Sequence, residues 1–139
     1  MKQSKRIAFL GLPLAGLAFA LVMALLNVTT PPAEAKGACK PGKPCVCSGV
    51  GACSRSCAGA GCAFECSGVG SCSFSCPKGK CTVNSSAIGS TSLACPGNGC
   101  KMTCSGTGSC SLTGCKKDCT VECSGTGSCS NDCKDKSCR

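Results

Sequence analysis

Residues 66–84 read CSGVGSCSFSCPKGKCTVN, with cysteine at the first, seventh, eleventh and sixteenth places. The copy before it, from Cys47, reads CSGVGACSRSCAGAGCAFE. The copies after it begin at Ser85, Cys104 and Cys123 and read SSAIGSTSLACPGNGCKMT, CSGTGSCSLTGCKKDCTVE and CSGTGSCSNDCKDKSCR. A fixed 19-residue period in a chain of 139 residues marks a stacked repeat, in which each unit touches only its neighbours.

Two segments of each copy alternate with the period of a strand. One crosses the copy boundary, as in Cys62 to Cys66 around Phe64, Cys81 to Ser85 around Val83, Cys100 to Cys104 around Met102 and Cys119 to Cys123 around Val121. The other runs from place seven to place eleven, as in Cys72 to Cys76 around Phe74 and Thr91 to Cys95 around Leu93. Cysteine and the central apolar residue share one face, and small polar residues take the other. The stretches between them, Ser-Gly-Val-Gly-like and Pro-Lys-Gly-Lys-like, read as turns. Strand, turn, strand, turn in register predicts an all-β, disulfide-rich parallel β-solenoid of about five coils over 47–139. Residues 36–46 form an N-terminal cap, and a signal helix precedes it.

The third copy decides the cysteine pairing. It lacks the cysteines of places one and seven together, as Ser85 and Thr91, and keeps Cys95 and Cys100. Partners lost together leave no orphan thiol, so places one and seven are expected to pair, and places eleven and sixteen likewise. The expected bridges are Cys39–Cys45, Cys47–Cys53, Cys57–Cys62, Cys66–Cys72, Cys76–Cys81, Cys95–Cys100, Cys104–Cys110, Cys115–Cys119, Cys123–Cys129 and Cys133–Cys138. Cys115 sits one place late, after Gly114.

The N-terminus agrees with an oxidising destination. Lys2, Lys5 and Arg6 precede an uncharged apolar run from Ile7 to Leu26, and Ala33-Glu34-Ala35 is a small-x-small cleavage site. That layout predicts a secretory signal peptide over 1–35 and a secreted, periplasmic or extracellular mature chain. An uncleaved membrane anchor is the alternative, since the run is long enough to span a bilayer. All 20 cysteines fall after the cleavage site, the composition of a disulfide scaffold.

Large apolar residues are few. After residue 35 there is no Trp or Tyr, and the only Phe are Phe64 and Phe74. The others are Val46, Val50, Val69, Val83, Val121, Ile88, Leu93, Leu112 and Met102. So small an apolar store predicts a chain that depends on its bridges to fold. Along the central place of the second segment, Arg55, Phe74, Leu93, Leu112 and Asn131 are polar at the ends and apolar in the middle, as capped terminal coils require.

Cys-Ser-Gly-Val-Gly-Ser-Cys, with bridged cysteines six apart in one coil, resembles the disulfide-laddered β-solenoids of beetle antifreeze proteins. The resemblance is one of architecture, in spacing and composition and not in sequence, and the repeat here is longer. That family's Thr-Cys-Thr triplet is absent, its positions reading Glu65-Cys66-Ser67, Thr103-Cys104-Ser105 and Glu122-Cys123-Ser124.

Stacking turns equal places into columns. Place eight is Ser54, Ser73, Ser92, Ser111 and Ser130. Place ten, on the same face, is Ser56, Ser75, Ala94, Thr113 and Asp132, and place two is Ser48, Ser67, Ser86, Ser105 and Ser124. The place-eight serines are a candidate binding face for ice or a polysaccharide, and ordinary strand patterning also explains them. From residue 36 on, 12 Lys and Arg stand against 5 Asp and Glu. Lys78, Lys80, Lys116, Lys117, Lys134 and Lys136 fall in the turn after place eleven and form a candidate basic edge. Such an edge suits an anionic envelope or extracellular polymer. Its other reading is a solvated turn that discourages aggregation.

Other functions find less support. Thiolate metal binding is permitted by cysteine density, but there is no histidine and no Cys-x-x-Cys. No cofactor is expected. Without histidine or a paired carboxylate motif, no acid–base site is legible and no enzyme is expected. The near absence of aromatics argues against sequence-specific nucleic-acid reading, and nothing points to a small-molecule substrate. Asn84-Ser85-Ser86 is a glycosylation acceptor in a eukaryotic secretory route.

Overall fold

The computed structural model describes residues 37–135. The expected signal peptide, Lys136 and Cys138 lie outside them. Eleven strands follow in order: β1 (Ala38–Cys39), β2 (Pro44–Cys47), β3 (Cys53–Cys57), β4 (Ala63–Cys66), β5 (Cys72–Ser75), β6 (Thr82–Ser85), β7 (Thr91–Ala94), β8 (Lys101–Cys104), β9 (Cys110–Thr113), β10 (Thr120–Cys123) and β11 (Cys129–Asn131). The odd strands make one parallel sheet in the order β1-β3-β5-β7-β9-β11, and the even strands make the other, β10-β8-β6-β4-β2. Every strand therefore pairs with its counterpart one coil away, which is the β-solenoid read from the repeat.

Register follows the period throughout. Cys72, Thr91 and Cys110 are partners across three coils, and so are Phe74, Leu93 and Leu112. On the even sheet Phe64, Val83, Met102 and Val121 align. These inward rows meet between the sheets. Phe64, Val83, Leu93, Met102 and Leu112 are fully buried, and the Phe64 and Phe74 rings stack at 4.6 Å. Disulfide sulfur fills the remaining interior. The segment ahead of the first repeat joins both sheets as a shortened coil: β1 pairs with β3 and β2 with β4. Pro44 opens β2, the edge strand of its sheet, where a missing N–H costs no ladder bond.

Two readings need correction. Val46, Val50, Val69 and Ile88 add nothing to the interior, since they are 48%, 91%, 49% and 56% exposed. They occupy outward places, so burial holds this fold even less than composition suggests. The Ser-Gly-x-Gly stretch is also more than a turn. Its central residues form a third parallel ladder, Val50↔Val69↔Ile88↔Thr107↔Thr126, one bridge per coil. Ile88 N–H donates to the Gly68 carbonyl at 2.8 Å, and Gly70 N–H to the Ile88 carbonyl at 2.9 Å. The places on either side of this ladder are held by glycine at a bend, save for Ala87. At Gly89, with φ +139°, an added Cβ would collide with the Gly70 carbonyl of the coil above. Only glycine lets two coils approach so closely there.

Candidate functional site

Nine disulfides are present among the described residues. They join Cys39–Cys45, Cys47–Cys53, Cys57–Cys62, Cys66–Cys72, Cys76–Cys81, Cys95–Cys100, Cys104–Cys110, Cys115–Cys119 and Cys123–Cys129. Cys133 is also bridged. Each of the nine closes within one coil or within the cap, four to six residues apart. Where the third coil lacks a bridge, the Ser85 and Thr91 hydroxyls meet at 2.7 Å, both buried. Thr91 Oγ1 also donates to Cys66 Sγ at 3.6 Å.

Neighbouring bridges bring sulfur together. The Sγ atoms of Cys57, Cys62 and Cys81 lie within 4.8 Å of one another, as do those of Cys95, Cys100 and Cys119. A metal ion needs thiolates. Each of these sulfurs is already bonded in a disulfide, so the clusters have none to offer in this state.

The serines of place eight line the outer face of the odd sheet. Ser54, Ser73 and Ser130 are exposed, and Ser92 and Ser111 half-buried. Ser92 Oγ donates to Ser73 Oγ at 3.4 Å. A column that the sequence reading passed over flanks them at place six: Ser71, Ser90, Ser109 and Ser128, all exposed. Ser109 and Ser128 Oγ lie 3.0 Å apart. With place ten, the face becomes three columns of mostly hydroxyl side chains, about 4.8 Å between coils and about 6.7 Å between columns. Beside it, at the bend, runs the exposed ridge Val50, Val69, Ile88, Thr107 and Thr126. Past that, Glu65, Ser67, Asn84, Ser86, Thr103 and Ser105 line a shallow groove on the even sheet. Asn84, of the Asn84-Ser85-Ser86 sequon, is exposed there.

The candidate basic edge lies on stacked turns. Gly61 N–H donates to the Gly79 carbonyl, Lys80 N–H to Asn98, Gly99 N–H to Lys117 and Lys116 N–H to Gly97, at 2.8–3.2 Å. These bonds hold the turns of coils one to four in line. Lys78, Lys80, Lys116, Lys117 and Lys134 are all exposed. Lys80 has φ +60°, which turns its coil sharply back toward Cys81. The cap contributes to the same edge. Its turn, Lys40 to Lys43, sits over the turn of coil one, with the Cys39 carbonyl accepting from Ala58 N–H at 3.0 Å. Lys40 and Lys43 escaped the sequence reading because the cap lacks the repeat spacing that marks the other turns. Asp118, Asp132 and Asp135 temper the charge at the C-terminal end. An ion pair, Lys101 Nζ to Glu122 Oε1 at 2.8 Å, lies off this edge on β8 and β10.

These features define a disulfide-stabilised repeat protein of the parallel β-solenoid class, and its bridges suit an oxidising compartment. No known protein family, curated protein or solved structure matches the chain.

Proposed function

We propose that this chain is an exported, non-enzymatic scaffold that holds an anionic polymer surface outside the cell through its basic turn edge. The observation that carries the reading is the gathering of exposed lysines on turns locked in line by backbone hydrogen bonds. Ordinary solvation needs charge but no alignment. A disulfide-closed interior supports the structural part, since a rigid edge presents its charges without ordering cost on binding. The absence of histidine from the whole chain supports a role other than acid–base catalysis.

The test is retention of the purified protein on an anionic polysaccharide matrix and on a neutral one, across a salt series. Retention on the anionic matrix alone, lost as salt rises, is the expected result. Equal retention on both would overturn the reading.

A second reading rests on the Ser73–Ser92 and Ser109–Ser128 contacts, which order hydroxyls between coils. It assigns the odd-sheet face to a neutral polysaccharide or ice. Adsorption that ignores salt and is abolished by Ser92→Lys would favour it.

A further inference from the structure

Basic turns alternate with neutral ones along the edge. The cap turn carries Lys40 and Lys43, coil two Lys78 and Lys80, and coil four Lys116 and Lys117 with Asp118. The turns between them are Ala58-Gly59-Ala60-Gly61 and Pro96-Gly97-Asn98-Gly99, which carry no charge and no long side chain. Two of their glycines are packed against the turn before them, while Ala58, Ala60 and Asn98 stay exposed. A Cβ at Gly97 would come within 2.7 Å of Gly79, and one at Gly59 within 2.9 Å of Pro41. Positive rungs are therefore spaced two coils apart, about 9.6 Å, and three of them span about 19 Å. That interval is close to the screening length in physiological salt, about 8 Å, so each lysine pair acts largely on its own partner charge.

From this spacing we infer that the ligand of the edge is a linear acidic polysaccharide with one acid group per disaccharide. The inference rests on the anionic-polymer reading above. The chain of the polymer runs along the solenoid axis. Each lysine pair meets one carboxylate or sulfate, and each neutral sugar passes over a low Gly-rich turn. A polymer with acid on every unit would bring unmatched charges against the neutral turns. Duplex nucleic acid fits no better, with a phosphate about every 3.4 Å along each strand. Coil five departs from the pattern, since Lys134 follows coil four directly and stands with Asp132 and Asp135.

The experiment measures binding of the disulfide-intact protein, at one fixed salt concentration, to three immobilised polymers. They are an alternating glucuronate–N-acetylglucosamine chain, a polygalacturonate, and duplex DNA. General electrostatic attraction favours the denser polymers, so preference for the sparser one is the signature of matched spacing. The expected result is affinity for the alternating chain about tenfold above polygalacturonate per acid group, with Lys78→Gln/Lys80→Gln removing most of that margin. Asn98→Lys, at an exposed position in a neutral turn, is expected to shift preference toward polygalacturonate. Intact mass without reductant verifies that both variants keep their bridges. Equal affinity for the polymers, or a preference for the dense ones, overturns the spacing inference and leaves the anionic contact standing. Failure to bind any of the three overturns both.

Discussion

The second and third coils make the same turn by different means. In coil two, Cys66 and Cys72 are joined covalently across a Cα separation of 6.3 Å. In coil three, Ser85 and Thr91 occupy the matching positions with a single buried hydrogen bond. Both pairs stay in register with their neighbours above and below. The bridge is therefore not what shapes the coil. Ladder bonds, inward apolar residues and glycine bends do that. The bridge acts mainly on the unfolded chain, whose freedom it reduces. Coil three also carries Ala87, buried at 3% exposure, where the other coils have glycine. Its methyl group adds volume on the side where the sulfurs are missing.

Complete reduction is the severest challenge to this contrast. If the bridges act chiefly on the unfolded chain, removing all of them leaves too little burial to compensate. The reduced protein is expected to lose its β-sheet circular dichroism, and a native-like spectrum in reductant would refute the dependence. Next is Gly89→Ala in coil three. It places a methyl group against the Gly70 backbone at a positive φ, and an expected cost of about 3 kcal/mol in denaturant unfolding combines overpacking with backbone strain. A smaller change sharpens the comparison directly. Ser85→Cys with Thr91→Cys gives coil three the bridge of its neighbours. It is expected to add about 2 kcal/mol by the chain-entropy account and to lower the intact mass by two further hydrogens. No gain in stability would mean that the hydroxyl pair already does the work of the bridge. The smallest effect is Ser85→Ala, which leaves the Thr91 hydroxyl without its closest partner and is expected to cost about 1 kcal/mol. Ser85→Ala with Thr91→Val removes both hydroxyls and should cost less than the single change, because nothing polar is then stranded.

Much of the architecture could be read from the repeat because cysteine reports inwardness so clearly. The joint loss at Ser85 and Thr91 carried the pairing rule, and the nine bridges described join the neighbours that it pairs. The bend was harder. Gly68, Gly70 and Gly89 have no side chain with which to declare a face, so a stretch that carries a parallel ladder reads as a turn. That hid the outward direction of Val50, Val69 and Ile88, and with it the place-six serines next door. The basic edge was legible only where the period holds. Lys40 and Lys43 belong to a shortened coil, and only the pairing of β1 with β3 and β2 with β4 brings their turn onto the edge.

None of the nine bridges ties one coil to the next. Covalently the described residues are a string of small closed rings, and what holds one coil to the next, beyond the backbone itself, is hydrogen bonding, packing and the Lys101–Glu122 ion pair. Pulled from its ends, such a molecule opens as a zipper does, one coil peeling from the stack while every sulfur–sulfur bond stays whole. Each ring released lengthens the chain by a small, repeating step, and each can lie back down on its neighbour when the load is removed. A tether built this way can yield under force and recover without any redox chemistry.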